Sequence, residues 1–228
     1  MKSKIAFSLL LLLYGWSLVK SQDKRIYIDI AHGQRFWNDP KDSVGTAGED
    51  LPRATYLLEE MEKSAKPFNA SIHFLKSEIT FKDLRNCDLL VIHVPTLNYS
   101  ANEVKAIRKF LNRGGSMLMA MEVDYWTTLE KANVNEILSA FEIQYGANTA
   151  DTLAGGYTKK SLITPEPLKI TYQFGRSVKG GTPFCFNNQS EDDPFGIYKS
   201  LKGDGKLIVL GDAMASLYMT EWKGVTDY

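Results

Sequence analysis

Residues 88–119 read DLLVIHVPTLNYSANEVKAIRKFLNRGGSMLM, and this stretch decides the fold. It opens on an almost continuously apolar run, which predicts a buried strand. Ser100 then has Glu103 three residues later, the signature of a capping box at the start of a helix. Gly114-Gly115 ends that helix, and a second apolar run begins at Ser116. The stretch therefore predicts a strand, an amphipathic helix and a second strand.

The same alternation of strands and helices extends outward in both directions. Apolar or alternating runs predict strands, and periodic runs with helix-starting residues predict helices. The further predicted strands are 25–31, 70–75, 116–123 and 206–210, and the further helices are 51–65, 80–86 and 129–141. This order predicts an α/β fold with a doubly wound, mostly parallel sheet of the flavodoxin-like kind.

The stretch from about 142 to 195 interrupts this alternation. Its short apolar runs are separated by glycine, proline and threonine, which predicts a β-rich insertion before the last strand. After the insertion, the pair Asp204-Gly205 predicts a tight turn between the last two strands.

Length and charge limit the function classes. The 228 residues suit one domain preceded by a leader. Hydrophobic residues make up 44% of the chain, which is typical of a globular protein with a core. Lys+Arg and Asp+Glu both number 27, so the formal net charge is zero. Because phosphate binding needs a basic face, no nucleic-acid partner is expected.

Residues 1–21 are predicted to be a signal peptide. Lys2 and Lys4 precede a leucine-rich run that is shorter than the ~20 residues needed to span a bilayer. We expect cleavage before Gln22, a single domain over 22–228, and an exported protein in the periplasm or outside the cell. Contact with a membrane is expected only through an uncleaved leader.

The chain has two cysteines, Cys87 and Cys185. Disulfides persist in exported proteins, so the two residues are candidates for a bridge. Both also lie in apolar runs, which suits buried free thiols. The sequence leaves both alternatives open.

Three segments, 88–94, 100–111 and 113–119, together resemble the class I glutamine amidotransferase-like superfamily. Gly211-Asp212 after the last strand is similar to its exported, uncharacterised branch. The resemblance covers roughly 25–216 and implies the α/β fold predicted above. The residues that carry the resemblance determine secondary structure and turns rather than chemistry, so the resemblance implies more about the fold than about activity.

The catalytic residues of active superfamily members are missing. In those proteins the strand after the double glycine ends in a G-x-C-x-G elbow that exposes a nucleophilic cysteine. Counted from Gly115, the matching position is Met121, and the flanking glycines are absent. Gly211-Asp212 has no histidine beside it. Glutamine amidotransferase activity is therefore not expected, and a non-catalytic role is favoured.

Polar and aromatic residues follow several of the predicted strands. Ligands of open α/β sheets bind beyond the carboxyl ends of the strands, so these residues are candidates for binding. The candidate binding residues are His32, Gln34, Arg35, Trp37, His93, Glu122, Asp124, Tyr125 and Asp212. Such a set suits a small polar ligand or a glycan, and its carboxylates leave a divalent cation open. No other cofactor and no protein metal site is predicted.

Each candidate also has a structural interpretation. His93 lies on an apolar strand, where a histidine is commonly part of the core. Glu122 and Asp124 share one face at a strand end and suit helix caps or solvated carboxylates as well as ligands. Residues 32–39 combine an imidazole, a guanidinium and two aromatic rings, which suits recognition of a sugar or carboxylate.

Two functions follow from these residues. The first is an exported, non-catalytic binding or scaffold domain for a small polar ligand, a glycan or a protein partner. The alternative is a hydrolase in which His32 acts as general base or metal ligand with Asp29, Glu122 or Asp212. An open cleft with His32 within hydrogen-bond reach of two of these carboxylates would favour the hydrolase.

Overall fold

A computed structural model describes residues 23–34, 37–41, 50–150, 155–170, 172 and 174–213. The predicted signal peptide and the candidate residue Arg35 lie outside the described residues. Within them, no helix has the length and apolar character required to cross a bilayer.

Strands dominate the described chain, and a few helices connect them. The strands are β1 Lys24–Asp29, β2 Ala70–Leu75, β3 Leu89–His93, β4 Ser116–Ala120, β5 Gln144–Asn148, β6 Gly156–Thr158, β7 Lys169–Ile170, β8 Arg176–Lys179, β9 Thr182–Asn187, β10 Gly196–Ser200 and β11 Lys206–Leu210. The α-helices are α1 Asp50–Ala65, α2 Ala101–Asn112, α3 Leu129–Ala132 and α4 Val134–Ser139. Short 3-10 helices occupy Lys66–Phe68, Asp83–Asn86 and Lys202–Asp204.

Within the described residues, nine strands form one mixed sheet in the order β2-β1-β3-β4-β11-β10-β9-β6-β7. The first five are parallel neighbours, whereas every pair from β11 to β7 is antiparallel. The α/β prediction is confirmed. The flavodoxin-like prediction of a mostly parallel sheet is wrong, because β6, β7 and β9 come from the predicted insertion and extend the main sheet. β5 and β8 pair separately.

The capping box and the double glycine fix α2 against the sheet. Ser100 Oγ accepts from Glu103 N at 3.3 Å, and Glu103 Oε2 accepts from Ser100 N at 2.9 Å. Ile107 and Phe110 are buried with side chains of β3 and β4, and burial of each such side chain contributes about 1.5–3 kcal/mol. A Cβ on Gly115 would lie 2.2 Å from the Phe110 ring, so this position has no room for a side chain.

The predicted helix over 129–141 is divided into α3 and α4 at Asn133. This residue has a left-handed backbone, with φ of 42°, so it interrupts the helical hydrogen bonds. Its side chain accepts from Tyr99 N at 2.7 Å and donates to Tyr99 O at 2.9 Å. These two bonds tie the helix break to the loop that precedes α2.

Helix α1 covers the other face of the sheet beside β2. A cavity of about 680 Å³ lies next to it on that face. Leu57 and Met61 of α1 line the cavity from one side, and Val91 and Leu118 line it from β3 and β4. The cavity therefore has largely aliphatic walls.

Candidate functional site

Parallel pairing brings the carboxyl ends of β1, β3, β4 and β11 to one edge of the sheet. Asp29, His93, Glu122 and Asp212 lie at this carboxyl edge, and each is at most 1% exposed. The sequence therefore predicts where these side chains gather. Three of them, His93, Glu122 and Asp212, are candidate binding residues, and the structure buries all three.

The imidazole of His32 lies between two carboxylates. Its Nδ1 is 2.9 Å from Asp29 Oδ2, and its Nε2 is 3.1 Å from Glu103 Oε1. The ring also stacks on Tyr99, with 4.0 Å between ring centroids. His32 is 6% exposed, so this group, the His32 clamp of Asp29, His32, Tyr99 and Glu103, is closed to solvent.

The two carboxylates of the His32 clamp favour the charged form of the ring. Burial alone would lower the pKa of His32, but hydrogen bonds and charges from Asp29 and Glu103 outweigh it and raise the pKa above 6.5. Asp29 Oδ2 also accepts from the Tyr99 hydroxyl at 2.6 Å. Glu103 Oε1 accepts from Ile79 N at 2.8 Å. The clamp thus links β1, the loop before α2 and α2 itself.

His93 belongs to the core. Its ring stacks on Trp37 with 5.0 Å between centroids, and its Nε2 donates to Ala213 O at 3.3 Å. Burial lowers the pKa of His93 to about 4, so the ring is neutral near pH 7. The structure therefore places Trp37 against His93 rather than against His32.

Arg176, the first residue of β8, is buried beside the end of β4. Nothing in the sequence pattern identified it. Its Nε donates to Glu122 O at 2.6 Å, and its Nη2 forms an ion pair with Asp124. The hydrogen bond from Arg176 lowers the pKa of Asp124, with further help from Asn148. Glu122 itself accepts from Ala213 N at 3.0 Å. The carboxylates at this strand end therefore have partners within the fold.

Tyr125 and Gln34 occupy opposite extremes of exposure. Tyr125 is 82% exposed and packs edge-on against Trp126, with 5.1 Å between ring centroids. The Gln34 side chain is buried, and its amide atoms have no hydrogen-bond partner in the described part of the chain. Of the candidate residues that the structure describes, Tyr125 is the one most available to a partner.

Metal and thiol chemistry receive little support from the geometry. Among the described residues, no group of three or more His, Cys, Asp or Glu side chains is arranged to hold a metal ion. Cys87 and Cys185 are both buried as free thiols, which resolves the alternative left open by the sequence. Burial raises the pKa of Cys87 to about 12 and raises that of Cys185 as well.

Sequence reasoning missed Glu103, Tyr99 and Arg176 as parts of these networks. Glu103 was recognised only as a helix cap, yet a carboxylate has a second oxygen that reaches His32. Tyr99 carried no signal beyond its place before the cap. Arg176 comes from the segment interpreted as an insertion, so its long-range contact with β4 had no local signature.

Comparisons with known proteins identify a different relationship from the one expected. The family model for the IFT52 GIFT domain matches residues 52–159. The solved mmIFT52 N-terminal domain is 19% identical, with a TM-score of 0.58, over 84% of this chain and 87% of that one. The exo-beta-1,4-mannosidase Op5Man5 from Opitutaceae bacterium strain TAV5 is 10% identical, with a TM-score of 0.51, over 96% of this chain and 35% of that one. No curated protein matches the chain.

These matches, together with the geometry of the site, correct four predictions. The resemblance to the class I glutamine amidotransferase-like superfamily is wrong, because the matching family model is the IFT52 GIFT domain. The exported location and the exported amidotransferase-like binding function are wrong for the same reason, since IFT52 relatives are intraflagellar transport proteins. The hydrolase is not favoured either, because His32 is enclosed between carboxylates. The chain has the fold of the mmIFT52 N-terminal domain and, over residues 52–159, the sequence pattern of the IFT52 GIFT domain.

Proposed function

We propose that this protein is a protein-interaction domain that acts as a scaffold component of an intraflagellar transport complex. The observation that carries the proposal is the match of the IFT52 GIFT domain model to residues 52–159. The match spans α1 to β6 apart from the first residues of α1, so it includes the His32 clamp residues Tyr99 and Glu103 and the exposed Tyr125.

The polar groups of the carboxyl edge suit a structural rather than a catalytic role. A general acid or base must reach a substrate proton from a pocket, with a pKa suited to the transfer. Both nitrogens of His32 are occupied by carboxylates, and His93 is fully enclosed with a pKa of about 4. The Arg176 guanidinium is likewise bonded to Glu122 O and Asp124. These polar groups therefore stabilise the edge of the sheet.

The rim of the carboxyl edge carries exposed apolar side chains on a rigid base. Tyr125 and Leu97 are 82% and 51% exposed and follow β4 and β3. Asp124, next to Tyr125, is fixed by Arg176 and by Asn148, whose Nδ2 donates to it at 2.8 Å. Exposed tyrosines on rigid supports are frequent energetic centres of protein interfaces. We place the partner on this rim.

The test is a titration of the full chain with purified intraflagellar transport proteins. Tyr125→Ala is expected to weaken binding by about 2 kcal/mol, roughly 30-fold, as for a central interface aromatic. Phe68→Ala is the matched control, because Phe68 is also an exposed aromatic but lies beside the start of β2, at the opposite end of the strands. Absence of binding to every such protein would refute the proposed function. Equal effects of the two substitutions would refute the placement on the rim.

A further inference from the structure

A groove of about 780 Å³ runs between α2 and α4 on the outside of the domain. One face of α2 forms its long wall, since the α2 residues that line it recur at spacings of three and four. Six of its lining residues, here called the basic groove, are Lys105, Arg108, Lys109, Arg113, Glu136 and Ser139. The opposite face of α2 is buried on the sheet, so this wall is the outward one.

Positive charge is concentrated in the basic groove. Among the described residues that line it, four have cationic side chains and Glu136 is the one carboxylate. The whole chain has a formal net charge of zero, so this is a local excess and not a general property of the surface. Glu103 of the same helix does not compensate for it, because its carboxylate is buried against His32.

Three of the four cations are held in place before any partner arrives. Arg108 Nη2 donates to the Glu136 backbone oxygen and to Ser139 Oγ, the latter at 3.0 Å. Lys109 Nζ lies 4.2 Å from the Phe81 ring centroid, and Arg113 Cζ lies 4.7 Å from it. Fixed side chains lose less conformational entropy when a ligand binds. The groove is therefore prepared to receive negative charge.

One donor in the groove is unsatisfied. Arg108 Nε is buried and has no hydrogen-bond partner within the described residues. Leaving a charged donor desolvated without an acceptor is unfavourable, so a rotation of the guanidinium that exposes Nε to an entering carboxylate would relieve that cost. The unsatisfied donor and the charge of the groove therefore favour the same kind of ligand, one with acceptor oxygens.

We propose that the basic groove binds an acidic peptide segment of the partner protein. The inference rests on the proposed function and adds the chemistry of the partner. From Lys105 to Arg113 the helix rises about 12 Å, which an extended segment of about four residues spans. Four cations on so short a stripe suit clustered glutamate or aspartate, whereas a nucleic acid needs a longer basic surface than this stripe provides.

The test compares two charge-reversed forms of the full chain. Lys105→Glu with Lys109→Glu changes the basic groove, and Lys160→Glu with Lys169→Glu is the control. Lys160 and Lys169 are exposed near β6 and β7 at the far end of the sheet, and both double variants change the net charge equally. Fluorescence anisotropy measures binding of a labelled oligoglutamate peptide at low salt, and circular dichroism verifies that each variant is folded.

The groove variant is expected to bind oligoglutamate at least about tenfold more weakly than the control variant, with binding weakened by added salt. Equal affinity of the two variants would overturn the inference. Tighter binding of oligouridylate than of oligoglutamate, lost in the groove variant, would overturn it in favour of nucleic acid. If the folded groove variant binds intraflagellar transport proteins as tightly as the unaltered chain, the inference fails and the proposed function stands. If the unaltered chain binds none of those proteins, the proposed function itself fails.

Discussion

Replacing His32 by asparagine is expected to destabilise the fold by about 3 kcal/mol near pH 6. Removing one member of a buried ion pair typically costs about 3–5 kcal/mol, because the remaining charge is left uncompensated. The lower end applies here, since each carboxylate keeps other donors. Asp29 retains the Tyr99 hydroxyl at 2.6 Å, and Glu103 retains Ile79 N at 2.8 Å.

The pH dependence identifies the cause of this loss. The pKa of His32 is raised in the folded state above its value of 6.5 in the unfolded chain. A raised histidine pKa contributes stability that is complete below the unfolded pKa and is lost as the pH rises through the folded one. The difference in unfolding free energy between the unaltered chain and the variant should therefore be largest below pH 6.5 and shrink as the pH rises through the raised pKa of the folded state.

Urea denaturation followed by circular dichroism at several pH values and constant ionic strength measures this difference. His73→Asn is the control, because His73 is exposed and its substitution should change stability by less than about 0.5 kcal/mol. A loss for His32→Asn no larger than that of the control would refute a charged role for the clamp. A loss that stays constant across the pH range would refute it equally.

Three further outcomes are expected. The folded pKa of His93 is about 4, below its unfolded value, so this residue should lower the unfolding free energy by up to about 1.4 kcal/mol for each pH unit between 6.5 and about 4. His93→Phe should flatten that pH dependence. An unchanged slope of stability against pH in acid titrations would contradict this. Arg176→Met should lower the unfolding free energy by about 3 kcal/mol, whereas the control Lys179→Met, at the exposed end of β8, should lower it by less than about 0.5 kcal/mol. Similar urea midpoints for the two variants would rule out a structural role for the Arg176 guanidinium. Cys87 and Cys185 should react with an aromatic disulfide reagent only as fast as the chain unfolds, because burial raises their pKa values, whereas rapid native-state labelling would show that the thiols are accessible.

Local signals in the sequence were sufficient for the α/β class and for the position of the carboxyl edge. The capping box at Ser100 and the apolar strands on either side of α2 depend on neighbours within a few residues, so spacing alone identifies them. Parallel pairing then places Asp29, His93 and Glu122 at one edge, as the strand order implies.

The state of those residues could not be predicted, because it depends on contacts between distant parts of the chain. His32 meets Glu103 across 71 positions, and Arg176 meets Glu122 O across 54. His32 and Glu122, which the sequence suggests are free to bind a ligand, are instead buried and hydrogen-bonded to these distant residues. The antiparallel half of the sheet was missed for a similar reason, since short strands such as β6 and β7 carry little periodicity.

The wrong family resemblance also has a physical explanation. Gly115 has no side chain because the Phe110 ring occupies the space where its Cβ would lie. The pattern of a capped helix that ends in two glycines and leads into a strand is therefore explained by the packing of α2 against the sheet. It indicates the fold and does not distinguish one family from another.

Sedimentation velocity of the full chain mixed with purified intraflagellar transport proteins tests the central claim most directly. A protein-interaction domain of this kind should co-sediment with at least one of them as a faster complex of fixed composition. That complex should be weakened by Tyr125→Ala and unaffected by Phe68→Ala. If the chain sediments independently of every such protein, at concentrations well above the dissociation constants typical of specific complexes, the claim is contradicted.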